Sequence, residues 1–577
     1  MNDDNQLITL QKLYSQANYS KIVEYAEENR NSLNNNWFIY TIIGMAYFYE
    51  SKYKESIKHQ NKSIQLKATP LNTHNLGIIL GQTGNIREAI KVFNKCIKLG
   101  IDEPPIFTNI IDFCLKFNFT DDALKVANLM KDSFPNDHHS YFNIGLVYEK
   151  LQDFPKAIQF YEDSLKINTS YALAMNNLGN CYSSLRRVDL AEKKYREAVM
   201  IDTKNIKILY NYIAFLIRMG RNKEAQKRIK DGIQINKNFT LLYTALTQTK
   251  KFSKDDLDLK LMESILKENN LDPLSKSELL FALSKAYEDI KDYKSSAKSM
   301  LQANNLKFKQ LKFDNDLTFG TFEKIINFYD NKYYQKHKNE GYKDSQSIFI
   351  IGMPRCGSSL IEQILSSHSK MRGLGELLNF SNEMFNLGIG KSDIGELENV
   401  DLSFFNQLGE NYINSINREY KINDLFIDKA LIFDKIGFIK LALPNSKIIH
   451  CKRNRYDQIL SIYKNKFEKD YHAYAYNDEL LNEYYDYYEK LMKHWEKILA
   501  DDLITINYED IIENPKTEIA KILKFIGVDW EESCLKFYQK ERYVNTISSS
   551  QVKKPLYKGS INSWKNYENY LPNLFEK

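Results

Sequence analysis

The chain has 577 residues with 80 basic and 74 acidic side chains, a formal charge of +6, which is too long for one hydrophobic core and too nearly balanced for a nucleic-acid-binding surface. Its six cysteines, Cys96, Cys114, Cys181, Cys356, Cys451 and Cys534, are scattered with no CxxC pair and no Cys/His cluster of zinc spacing, which argues against a disulfide framework or a structural zinc and suits reduced thiols. The N-terminal MNDDNQLITLQ is acidic where a secretory signal needs basic residues and an apolar run, and no stretch reaches the ~18 apolar residues of a membrane span. A cytoplasmic protein without a membrane span is the expectation.

The first 240 residues repeat. One small or apolar position recurs at Gly44, Gly77, Ile111, Gly145, Gly179 and Ile213, in steps of 33 or 34 residues. Twelve residues on stand Ser56, Ala89, Ala123, Ala157, Ala191 and Ala225, and four further Phe93, Tyr161 and Tyr195 supply a large ring. Small residues in successive helices let them approach closely, and the ring fills the space between pairs. The pattern resembles the tetratricopeptide repeat. A degenerate pair is expected around residues 6 to 31 and a further hairpin at 279 to 305, so residues 1–240 are read as a solenoid and 241–344 as a helical connector. Such a solenoid either holds a protein or peptide on its concave face or serves as support or dimer contact; the sequence leaves this choice and the oligomeric state open.

At residue 347 the pattern changes to SIFIIGMP, a short apolar run ended by Gly-Met-Pro, as for a buried parallel strand. Further short runs, LFID (425 to 428), KIIHC (447 to 451) and LITINY (503 to 508), alternate with helical stretches, which predicts a parallel sheet covered on both faces. The fold class is thus multidomain: an all-α solenoid, then a P-loop-like α/β domain with a central parallel sheet over residues 345–577.

After the first strand come Gly352-Met353-Pro354-Arg355-Cys356-Gly357-Ser358-Ser359 and a helix-like LIEQILSSH. A glycine-containing turn between strand and helix points backbone N–H groups at one spot, where the helix dipole favours an anion. The spacing matches GxxxxGK[ST] except that Ser358 replaces the lysine that reaches the outer phosphates of ATP, which argues against an ATPase. The variant PRxG[ST][ST]L resembles the sulfotransferase superfamily, specifically its tyrosylprotein sulfotransferase-like branch. The resemblance spans about residues 347 to 570. It implies 3′-phosphoadenosine 5′-phosphosulfate (PAPS) as co-substrate, adenosine 3′,5′-bisphosphate (PAP) as product, and no metal. Arg355 is then expected to grip the 5′-phosphosulfate, with Cys356, Gly357, Ser358 and Ser359 completing the cradle; Cys356 stands where serine is common.

The donor's 3′-phosphate calls for a second cationic site. KIIHC is followed by Lys452 and Arg453, and then by a helix carrying Ser461; by the resemblance Arg453 and Ser461 clasp the 3′-phosphate. A solvated basic cluster is the bland alternative. Tyr508 falls where the family places an aromatic near the adenine. Gln551, Val552, Lys553 and Lys554 resemble the closing loop, although Ser563 precedes Trp564 where relatives carry a basic residue, a contact that Lys558 or Lys565 could supply.

Sulfuryl transfer needs a base and fixed positive charge. The resemblance makes Glu376 the base, Arg355 and Lys429 the charge at the bridging oxygen, and Ser548 a hydroxyl donor. His368 is a second base candidate, and LFID also reads as a Walker-B strand with Asp428 as a magnesium ligand. Leu377, Leu378 and Asn379 follow Glu376 where tyrosylprotein relatives place arginines, so acidic-peptide specificity is not carried over. The acceptor stays open among a protein tyrosine, a carbohydrate hydroxyl and a small alcohol. The tyrosine-rich stretch 471 to 490 is read as core packing. The competing reading is a repeat scaffold carrying an inactive nucleotide-binding domain.

Overall fold

The computed structural model describes the chain apart from residues 1–2, 31, 34, 269, 312, 344–346, 390–402, 423, 468–469, 540–554, 557–558 and 576–577. It divides into two compact units, Met1–Tyr212 and Ile213–Lys577.

The first unit is a row of helical hairpins, Asp3–Ser15 with Tyr19–Glu28, Trp37–Tyr49 with Tyr53–Leu66, Pro70–Gln82 with Ile86–Lys98, Pro104–Lys116 with Thr120–Ser133, His138–Lys150 with Phe154–Ile167, and Ala172–Ser184 with Val188–Ile201. The small-residue logic operates directly. A Cβ on Gly77 would sit 2.4 Å from the Phe93 ring, on Gly145 2.6 Å from Tyr161 and on Gly179 2.8 Å from Tyr195. Where the small position is Ile111, the partner sixteen residues on shrinks to Ala127, and both are fully buried; volume is conserved across the contact. The first copy is polar instead: Ser56 donates to the Gly44 carbonyl (2.7 Å) and Gln60 to the Thr41 carbonyl (3.1 Å). The turns repeat too. Ser51, Gly84, Asn118, Gln152 and Arg186 all have positive φ, between 60° and 83°. Each is followed by an N–H that reaches back to close the first helix, as from Asp153 to the Tyr148 carbonyl (2.9 Å).

In the second unit, helices from Asn222–Ile235 through Asn331–His337 precede a five-stranded sheet. The connector helices pack onto the sheet domain's own elements: Asn304 donates to the Tyr463 carbonyl (2.9 Å), Ser296 and Tyr567 share a hydroxyl contact (3.0 Å), and Lys464 pairs with Glu288 (2.8 Å).

The strands are β1 (Ser347–Ile351), β2 (Met371–Gly375), β3 (Leu425–Asp428), β4 (Lys447–Lys452) and β5 (Leu503–Asn507), parallel, in the order β2-β3-β1-β4-β5. Alternation sends Phe349 and Ile351 into one core with Phe426, Ile448 and Trp495. Ile348 and Ile350 enter another with Ile427, Ile449 and Ile506. Two covered faces explain why the strands read as unbroken apolar runs. Among the described residues no helix is long and apolar enough to cross a membrane.

Candidate functional site

Each strand's C-terminal end delivers a candidate residue. The loop 352–358 follows β1, Glu376 follows β2, Lys429 follows β3, Arg453 follows β4 and Tyr508 follows β5. In a parallel sheet all five therefore open on the same edge, outside the carboxyl ends where α/β sheets bind ligands. Spatial order along that edge follows strand order: Glu376, Lys429, the loop, Arg453, Tyr508.

The loop is shaped by three left-handed residues, Gly352 (φ +147°), Arg355 (φ +68°) and Gly357 (φ +99°). Gly357 caps the helix Ser358–Leu365, which Ser358 and Ser359 open. Neither glycine tolerates a side chain: a Cβ on Gly352 would meet the Cys451 carbonyl at 2.7 Å, and one on Gly357 the Tyr508 ring at 2.6 Å. The Cys356 side chain is buried in the core on one face of the sheet, where its thiol hydrogen-bonds that of Cys451 and also meets the N–H and hydroxyl of Ser358, and burial pushes the Cys451 thiol well up.

Arg355 Nε donates to Ser461 Oγ at 3.0 Å, so the two anion-site candidates, far apart in sequence, are in contact. Arg453 donates to the Arg355 carbonyl (3.1 Å) and to the Ser560 carbonyl (2.9 Å), and its guanidinium lies 5.0 Å from the centre of the Tyr508 ring. Arg453 Nε is buried without a hydrogen-bond partner among the described residues, an orphaned cationic donor that an incoming anion would satisfy. The Tyr508 hydroxyl reaches Ser560 Oγ at 2.9 Å. Tyr508 opens the helix Tyr508–Glu513, one step beyond the strand in which the sequence reading put it.

At the other end of the edge, Lys429 Nζ donates to Glu376 Oε1 at 2.7 Å; the lysine side chain is fully buried and the glutamate 53% exposed. The Glu376 turn is fixed from below, where buried Glu362 accepts the Gly375 N–H (2.9 Å) and the Gly375 carbonyl accepts the Lys429 N–H (2.9 Å). Asp428 is buried, accepts the Tyr412 hydroxyl (2.9 Å) and is pushed up to about 7 by burial. His368, the second base candidate, has both ring nitrogens engaged: Nε2 donates to the Asp529 carbonyl (2.9 Å) and Nδ1 accepts the Lys370 N–H (3.1 Å). Ser548, Gln551, Val552, Lys553, Lys554 and Lys558 lie outside the described residues. Tyr474, Tyr476, Tyr485 and Tyr488 are all buried.

Two residues escaped the sequence reading. Gln458 is fully buried and donates to the Met353 (3.2 Å) and Pro354 (3.1 Å) carbonyls, while accepting from Tyr485 (3.1 Å). It satisfies both loop carbonyls from the buried side. Asp457 accepts from the Asn562 N–H (2.7 Å), the Ser563 hydroxyl (3.0 Å) and the Trp564 N–H (3.0 Å). Ser563 is thus engaged in pinning the segment that brings Ser560 to Arg453.

Residues 347–532 match the model of a sulfotransferase family, and residues 74–99, 138–171 and 172–205 match tetratricopeptide repeats. An uncharacterized protein of Aquifex aeolicus is 25% identical over 557 residues, covering 91% of this chain and 71% of that one. The BBSome complex member BBS4 of Bos taurus is 24% identical over 212 residues, 36% of this chain and 39% of the relative. Among solved structures, the sulfotransferase domain of the Synechococcus PCC 7002 olefin synthase aligns at 19% identity and a TM-score of 0.29, covering 39% of this chain and 89% of that domain.

Proposed function

We propose that this chain, whose residues 347–532 form a sulfotransferase-family domain behind tetratricopeptide repeats, moves a sulfuryl group from PAPS to an acceptor hydroxyl by in-line displacement. The carrying observation is the order along the sheet edge. Strands ~4.8 Å apart set out, in sequence, a carboxylate (Glu376), a lysine (Lys429), an anion loop with Arg355, a half-satisfied arginine (Arg453) and an aromatic ring (Tyr508). This is the order in which a base, a bridging oxygen, a 5′-phosphosulfate, a 3′-phosphate and an adenine would lie if the donor stretched across the edge.

In this reading the loop N–H groups, Ser358, Ser359 and Arg355 hold the phosphosulfate, and Arg453 with Ser461 holds the 3′-phosphate. The acceptor oxygen attacks sulfur as the bond from sulfur to the bridging oxygen breaks. The hydroxyl proton passes to the Glu376 carboxylate, and negative charge gathering on the departing phosphate of PAP is met by Lys429 and Arg355. No step requires a metal. The resting Lys429–Glu376 pair keeps base and cation together until the donor phosphate draws the lysine away. The acceptor is an alcohol or phenol, with a peptide tyrosine, a carbohydrate hydroxyl and a small alcohol as the classes to screen, and the reading places the enzyme in the cytoplasm.

The test is calorimetry on the full chain without magnesium, titrating adenosine 3′,5′-bisphosphate, AMP and ATP. The proposal expects the bisphosphate to bind at least about 10-fold more tightly than AMP, with Arg453→Ala removing that preference. Equal binding of the three, or none, would favour a repeat scaffold with an inactive domain.

A further inference from the structure

The repeat unit contains a cleft of about 570 Å³ whose lining includes Leu115, Leu146, Phe154, Asn177, Lys150 and Glu149. Aligning the repeats shows how unusual Glu149 is. Four residues after the recurring small position the copies carry Phe48, Gly81, Leu115, Glu149, Ser183 and Ile217. One ionisable residue therefore stands in a column that otherwise provides apolar or small packing.

The surroundings accommodate that carboxylate without neutralising it. Tyr161 donates to Glu149 Oε2 at 2.5 Å, Asn180 adds a second hydrogen bond, and Asn177 steadies the Tyr161 hydroxyl at 3.2 Å. The groups that act on Glu149 are Tyr161 and Asn180, with no basic side chain paired to it among the described residues, and Lys150 is exposed. Burial holds the Glu149 carboxyl above its ordinary range despite the two donors. A carboxylate that is desolvated, hydrogen-bonded and uncompensated at an apolar cleft is stabilised most by a cation on an aliphatic stem: the stem covers apolar surface while the head meets the charge.

We propose that this cleft receives one basic side chain, lysine or arginine, of a partner polypeptide, with Glu149 as counter-charge and Leu115, Leu146 and Phe154 packing its stem. The proposal stands apart from the chemistry assigned to the sheet edge. A folded full-length chain serves as receptor, and fluorescence polarisation reads its binding of capped peptide pools that differ in one fixed residue: lysine, arginine, norleucine or citrulline. The lysine and arginine pools are expected to bind about 10-fold more tightly than their neutral counterparts, as a hydrogen bond to a charged group gives. Glu149→Gln, which can still accept from Tyr161, should erase the difference while leaving norleucine binding unchanged; Glu149→Asp should keep part of it. Equal binding of the lysine and norleucine pools by the wild type would overturn the proposal, as would a preference that survives Glu149→Gln, or spermidine binding as tightly as the lysine pool.

Discussion

Replacing Gly357 by alanine probes the loop 352–358 at its tightest point. The residue holds φ +99° and ψ 5°, a left-handed conformation that costs an L side chain roughly 1–2 kcal/mol. The new methyl would also stand 2.6 Å from the Tyr508 ring, so the ring has to move. Moving it strips a cation–π contact with Arg453 and a hydroxyl contact with Ser560, worth about 0.5–1 kcal/mol and about 1 kcal/mol. The backbone cost falls on stability; the ~1.5–2 kcal/mol of displaced contacts falls on the sheet edge and, under the proposed function, corresponds to roughly 10- to 30-fold weaker binding of adenosine 3′,5′-bisphosphate. Gly527→Ala is the matched control, with φ +88° and no heavy atom within 4 Å of its Cβ. It should lose about the same backbone energy in urea unfolding and leave calorimetric binding untouched. Binding by Gly357→Ala within twofold of wild type, or equal damage from Gly527→Ala, would refute the packing argument.

Gln458→Leu leaves the Met353 and Pro354 carbonyls buried without donors; at about 1–3 kcal/mol for an unsatisfied group, bisphosphate binding should weaken by at least about 10-fold in calorimetry. Glu376→Gln should keep bisphosphate binding within about twofold while lowering turnover roughly 10²- to 10⁴-fold, the contribution of a general base, as read by single-turnover sulfuryl transfer to a screened acceptor. Asp428 gives a pH signature. Its carboxyl is raised by burial from 3.8 to about 7, so the folded state holds the proton more tightly than the unfolded one. The associated stability is complete below pH ~4 and is lost as pH rises through ~7, amounting to at most about 4 kcal/mol. Asp428→Asn should therefore flatten the fall in Tm between pH 5 and pH 8, and an unchanged slope would contradict the assignment.

The sequence carried the repeat core because its signal is local: Gly77, Ala89 and Phe93 recur in fixed register and meet within one hairpin. It did not carry the turns, since Ser51, Asn118, Gln152 and Arg186 take the left-handed position without being glycine. Four strands were visible as apolar runs. β2 was not, because its five residues include two glycines and an exposed Arg372. Glu376 was singled out through family likeness; that it follows a strand, like the other four edge positions, emerges only from the fold. Gln458 was invisible because its partners lie 104 and 105 residues away and a buried glutamine in a helix has no spacing signature. Glu149 could have been found by comparing repeats column by column.

The hydrogen bond from Arg453 to Ser560 spans 107 positions, and that long reach bears on how the protein is made. The hairpins of the first unit close between helices adjacent in the chain and can fold as they leave the ribosome. The sheet edge stays incomplete until Asn562, Ser563 and Trp564 have docked on Asp457. At about 5–20 residues per second, the ~350 residues between the two events take on the order of 20–70 s. For that interval a nascent chain presents finished repeats ahead of an incomplete sheet edge, so a ligand of the repeats meets the chain before Arg453 has its Ser560 contact.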